Sequence, residues 1–119
     1  MNDFLLDVSD KNNFIIPILL IGKLHISIED LAGSTGLNAS SLETESLVLS
    51  DAIQKRLIEV TDILNNVIPW SKDINHAYKW YTTEPLASFG DHTAMELVIQ
   101  DKSGAVIQYL DRIAKDGFS

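Results

Sequence analysis

The sequence predicts an all-α fold of about seven helices, and three observations carry that expectation. Apolar residues recur at steps of three and four, as in Ile53, Leu57, Val60, Leu64 and Val67, which is the period of one helix face. Capping residues, glycines and prolines punctuate the chain where such stretches start and stop. No stretch alternates apolar and polar residues in the manner of a half-buried strand.

Taken in order, "NNFIIPILLIGKL" reads as a first helix ending near Gly22, with Pro17 tolerated only in its first turn. In "SIEDLAGSTG" Ser27 is a good N-cap, Glu29 and Asp30 suit the positive helix start, and Gly36 ends a short helix. "NASSLETE", Asn38 to Glu45, is a second short helix capped by Asn38 or Ser40, and the pair joined through a glycine has the helix-turn-helix outline. Ser50 opens the longest helix, which carries the Ile53 to Val67 stripe and ends before Pro69; the stripe faces either a core or a partner helix. Ser71 is expected to cap the next helix, whose Ile74, Ala77, Tyr78 and Tyr81 share a face that Trp80 lies off. A loop from Thr82 to His92 follows, and Thr93 with Glu96 forms a capping box for "AMELVIQ". The last helix starts at Ser103, sets Ala105, Val106, Tyr109, Leu110 and Ile113 on one side, and stops at Gly117. Residues 1–68 thus form a helix-turn-helix region and residues 69–119 a second helical region.

At 119 residues, 45% hydrophobic and 22% charged, the chain has the size and composition of one globular unit. Without cysteine it has neither a disulfide framework nor a thiolate metal site. Its longest apolar stretch, Phe14 to Gly22, is far shorter than a membrane helix, and the acidic "MNDFLLDVSD" is unlike a signal peptide, so a cytoplasmic protein without membrane contact is expected. His25, His76 and His92 are scattered without metal-ligand spacing, no phosphate-cradling glycine loop occurs, and the carboxylates sit mostly on polar helix faces. A non-enzymatic chain using no cofactor and no metal is the expectation.

From Ala77 onward, "AYKWYTTEPLASFGDHTAMELVIQDKSGAVIQYLDRIAKDGFS" resembles the toxin-binding domain of the Xre/MbcA/ParS antitoxin family. The matching positions are Trp80, Pro85, Leu86, Gly90, Thr93, Glu96, Leu97, Asp101, Gly104, Val106, Leu110, Arg112, Ile113 and Gly117; Ala94 stands where the family usually has proline. Leu24 to about Ile68 is similar to the helix-turn-helix that precedes this domain, with Ala32, Gly36, Leu31, Leu37 and Leu42 at its core positions. Residues 1–13 lie outside the resemblance.

The resemblance implies a type II antitoxin that binds a RES-type, NAD-consuming toxin, covers its active site through the C-terminal region, and assembles as a homodimer or toxin–antitoxin hetero-oligomer. The partner-binding candidates are Trp80, Leu86, Phe89, Gly90, Arg112, Gly117, Phe118 and Ser119. Trp80 either holds the loop down or meets the partner, and Phe89 either anchors a partner or folds back on the core. Arg112 either grips a phosphate or carboxylate or pairs with a neighbouring acid such as Asp116. Two rival functions are an operon-repressing DNA-binding regulator and an adaptor for a non-toxin partner. Asn38, Ser40, Ser41 and Thr44 are the side chains of the second short helix able to hydrogen-bond base edges. Charge opposes that use: the net charge is −8, and between Leu24 and Arg56 only Lys55 and Arg56 answer Glu29, Asp30, Glu43, Glu45 and Asp51.

Overall fold

A computed structural model describes residues 4–116, and among these the backbone forms nine α-helices and two 3₁₀ turns. The helices are α1 (Phe4–Asp7), α2 (Pro17–Leu24), α3 (Ile28–Thr35), α4 (Ala39–Glu43), α5 (Glu45–Val48), α6 (Asp51–Val67), α7 (Ile74–Thr83), α8 (Ala94–Ile99) and α9 (Ser103–Asp116).

The two helices beyond the expected number have local causes. Helix α1 lies in the unassigned N-terminal stretch and forms because Phe4, with Val8 just beyond it, is buried in the core beside α6. The second short helix of the helix-turn-helix outline breaks at Thr44, whose backbone is extended (φ −103°, ψ 111°). The Thr44 hydroxyl donates to the Ser40 carbonyl at 2.8 Å, a local bond that competes with helix continuation.

Three boundaries differ from the sequence expectation. Helix α2 starts at Pro17, because the residues ahead of it close a loop in which Asp10 accepts from the amides of Asn12 and Phe14 at 2.8 and 3.0 Å. It runs past Gly22 to Leu24 and is capped by His25 in the left-handed region, at φ 57°. At α7 the N-cap is Asp73, accepting from the His76 amide, while the Ser71 hydroxyl donates to the carbonyls of Ile68 and Asp73. The 3₁₀ turn Ile68–Trp70 takes up Pro69 and displaces the helix start. The Ser27, Ser50 and Thr93 caps stand where expected, the first and third as full capping boxes.

Helix α6 is the central element, packing against α1, α3, α5, α7 and α9. Leu57, Val60, Leu64 and Val67 of its stripe are fully buried, joined by Ile63, so the stripe is core and not an open seam. Each such side chain contributes about 1.5–3 kcal/mol through removal from water. The core runs across the boundary between the two regions: α7 packs on α2 and α6, and α8 packs on α3. Buried Leu31 and Ala32 belong to the same cluster as Ala77, Tyr81, Leu97 and Val98.

Two polar ties reinforce this junction. The Tyr81 hydroxyl donates to the Ser34 carbonyl at 2.7 Å, and burial pushes its phenol well above the ordinary range. Arg56 donates to the Thr35 carbonyl at the end of α3 (2.8 Å), to Glu59 on its own helix (3.2 Å) and to Asp101 between α8 and α9. Its side chain is only 15% exposed, so this cation is held within the fold.

Candidate partner-binding surface

The surface centres on the loop between α7 and α8. Helix α7 ends when Glu84 turns extended, its amide still donating to the Trp80 carbonyl. From Leu86 the chain closes on itself: the Leu86 amide donates to the His92 carbonyl at 3.0 Å, and the amides of Phe89 and Asp91 donate back to the Leu86 carbonyl. The intervening Ala87–Phe89 makes a 3₁₀ turn, and Gly90 and Asp91 both take the left-handed conformation at φ 66°. Thr93 then starts α8: its hydroxyl accepts from the Glu96 amide, and its own amide donates to the Glu96 carboxylate at 2.8 Å. That backbone donor is the leading cause holding the Glu96 carboxyl below its usual value.

The candidate side chains separate into three groups. Leu86, 3% exposed, points into the core and pins the loop; in the isolated chain it offers no surface to a partner. Trp80 and Phe89 are half-buried and each meets another ring edge-on, Trp80 against Trp70 at 5.7 Å and Phe89 against Tyr109 of α9 at 5.9 Å. Phe89 thus ties the loop to α9, whereas the Trp80 contact ties α7 to the turn that precedes it, and both residues remain partly exposed. Gly90 and Arg112 are exposed, and the side chain of Asp116, the neighbouring acid, lies outside the described part of the structure. Arg112 stands about one turn beyond Tyr109, the α9 residue that meets Phe89. Gly117, Phe118 and Ser119 lie outside the described residues.

Of the two supporting rings, Tyr109 stands on the apolar side of the last helix in the sequence, and nothing in the sequence marks Trp70 as a partner for Trp80. Only the packing of α7 and α9 pairs them with Trp80 and Phe89.

The helix-turn-helix candidates lie on and next to α4. Asn38 is at the N-cap of α4 without a side-chain cap bond, and Asn38, Ser40 and Thr44 are exposed while Ser41 is half-buried. Helix α4 is five residues long, carries no Lys or Arg, and includes Glu43. Arg56, one of the two cations available to this region, is engaged by Thr35, Glu59 and Asp101. Among the described residues no group of His, Asp and Glu side chains has the arrangement of a metal site, and no helix is long and apolar enough to cross a membrane.

Comparison of the chain with protein-family models, with curated proteins and with solved structures finds no match.

Proposed function

We propose that this protein is a non-enzymatic antitoxin that neutralises a RES-type, NAD-consuming toxin by seating its C-terminal region over the toxin's active site. One observation carries the reading: the described residues of the family-like pattern from Leu86 onward fall on a self-closed loop, a boxed helix start and a long final helix, with Phe89 half-buried on the loop, Arg112 exposed on the final helix and Trp80 half-buried on the helix before them. A loop closed by its own hydrogen bonds and bearing a part-exposed aromatic, followed by an exposed guanidinium on the final helix, has the composition of an interface hot spot, because such a loop loses little conformational entropy on docking. The net charge of −8 supports approach to a cationic nucleotide-binding cleft and disfavours nucleic acid.

Co-expression tests the reading directly. The intact chain is expected to restore growth to cells producing a RES-type toxin encoded beside it, whereas Trp80→Ala and Phe89→Ala together with Arg112→Glu are expected to abolish rescue while circular dichroism stays helical. Growth arrest unrelieved by the intact chain would reject the function. Truncation after Asp116 is expected to weaken rescue if Phe118 and Ser119 enter the toxin cleft.

The DNA-regulator alternative is disfavoured by the five-residue α4 and by the engagement of Arg56. A gel shift with the chain's own upstream DNA at ~100 mM salt is expected to show no tight complex for the isolated protein. A tight, sequence-selective shift would restore that alternative.

A further inference from the structure

Apart from Ile99, the large apolar side chains exposed among the described residues all lie between Leu6 and Ile58. Two of them, Ile18 and Leu49, border a groove of about 280 Å³ that opens between the start of α2 and the elbow joining α4 to α5. Buried Pro17, Leu42 and Val48 form its floor, and Ile18 (72% exposed) and Leu49 (39% exposed) stand at its sides. Ile16 and three carboxylates, Asp10, Glu43 and Glu45, complete the lining, with no cation among the lining residues. Asp10 is occupied by two backbone amides, but Glu43 and Glu45 are exposed and paired with no cation among the described residues.

We propose that this groove is a second docking site, for an amphipathic segment of a partner protein whose apolar residues are flanked by Lys or Arg. Apolar anchors would fill the space over Pro17, Leu42 and Val48 while the flanking cations reach Glu43 and Glu45, the arrangement by which a helix lies in a groove. Charge complementarity selects this occupant. Nucleic acid and anionic lipid are repelled by the carboxylate rim, and a second copy of this chain brings its own net charge of −8. The site is remote in sequence from the α7–α8 loop and stands whether or not the C-terminal region binds a toxin. It also gives a use to the Glu43 and Glu45 face, which is unsuited to DNA.

The test titrates isotopically labelled protein with a synthetic amphipathic helical peptide carrying a leucine stripe flanked by lysines. Amide shifts are expected to concentrate at Ile16, Ile18, Val48 and Leu49. The doubly substituted Glu43→Lys/Glu45→Lys and, separately, Ile18→Asp are expected to weaken binding at least about tenfold. Glu84→Lys/Asp111→Lys makes the same change in net charge away from the groove and is expected to leave affinity within about twofold. All five positions are exposed, and circular dichroism is the check that each variant is folded. Equal weakening by both charge variants, shifts centred elsewhere, or no binding would overturn the proposal. So would concentration-dependent shifts of Ile18 and Leu49 without peptide, which identify a second copy as the occupant.

Discussion

Gly36 shows how one residue can satisfy two demands. At φ +72° it closes α3 with its amide donating to the Ala32 carbonyl, and a Cβ there would sit 3.0 Å from Ile99 Cγ1 and 3.2 Å from an Arg56 guanidinium nitrogen. Gly36→Ala should therefore cost at least about 1 kcal/mol in chemical denaturation, from the left-handed backbone together with overpacking. Gly33→Ala, inside α3 with open space around it, should stabilise by about 0.5–1 kcal/mol. The turn role of Gly36 is legible in the sequence; its contact with Ile99 is not, since the two lie on helices brought together only by folding. Asp62 illustrates charge at the same scale. Burial, aided by Asp111, raises its carboxyl above the ordinary 3.8, so the folded state holds its proton more tightly than the unfolded chain does. Stability from this group is then greatest at acid pH and declines as pH rises from 3.8 through the raised folded value. Asp62→Asn should raise the melting temperature at pH 7 and lose that advantage near pH 3; an unchanged difference at both pH values would contradict the assignment. Gln54 carries a further lesson: it accepts from the Ile15 amide and donates to the carbonyls of Ile15 and Val48, yet its sequence position resembles any surface glutamine.

Among the elements, those with strong start signals are the ones the sequence predicts well. Ser27, Ser50 and Thr93 each precede a stretch with clear apolar period, and each accepts the amide three residues on. Thr93→Ala should cost about 1 kcal/mol by removing one of the two reciprocal bonds of the α8 box. The Glu96 half of that box acts above its ordinary pKa: its carboxyl is depressed in the folded state, so its contribution is present at neutral pH and is lost as pH falls through the folded value. Where cap and period disagree with packing, the sequence expectation shifts. The α4–α5 break arises from a Thr44 side-chain bond, α1 from two aromatic and aliphatic residues reaching α6, and the Asp73 cap from a 3₁₀ turn that accommodates Pro69. The α7–α8 loop shows both behaviours. Pro85, Gly90, Thr93 and Glu96 mark it as a turn feeding a helix, while the burial of Leu86 and the Phe89–Tyr109 contact depend on where α9 lies.

For the whole molecule, Arg56 joins the two regions: one guanidinium touches the end of α3, its own helix and the α8–α9 connection. Arg56→Met should keep much of the packing but cost about 2 kcal/mol, because the Thr35 carbonyl loses a charged donor beside the core. Asp101→Asn, at a largely exposed partner, should change stability by less than about 0.5 kcal/mol. Comparable losses from both variants would show that the Asp101 pairing carries more than its exposure implies. This junction makes the helix-turn-helix outline and the loop-bearing region parts of one core, so a partner seated on the loop would meet a scaffold supported from α3 and α6. The all-α class, the long α6 stripe, the main caps and the acidic charge balance are legible in the residues alone, because these depend on residue type and on spacings of three and four. Tertiary structure alone decided that the stripe is core, that Arg56 is engaged internally, that Leu86 is buried while Trp80 and Phe89 stay part-exposed, and that an acid-rimmed apolar groove flanks α2. Each of these depends on which helices meet, and contacts between residues far apart in the chain leave no periodic trace in it.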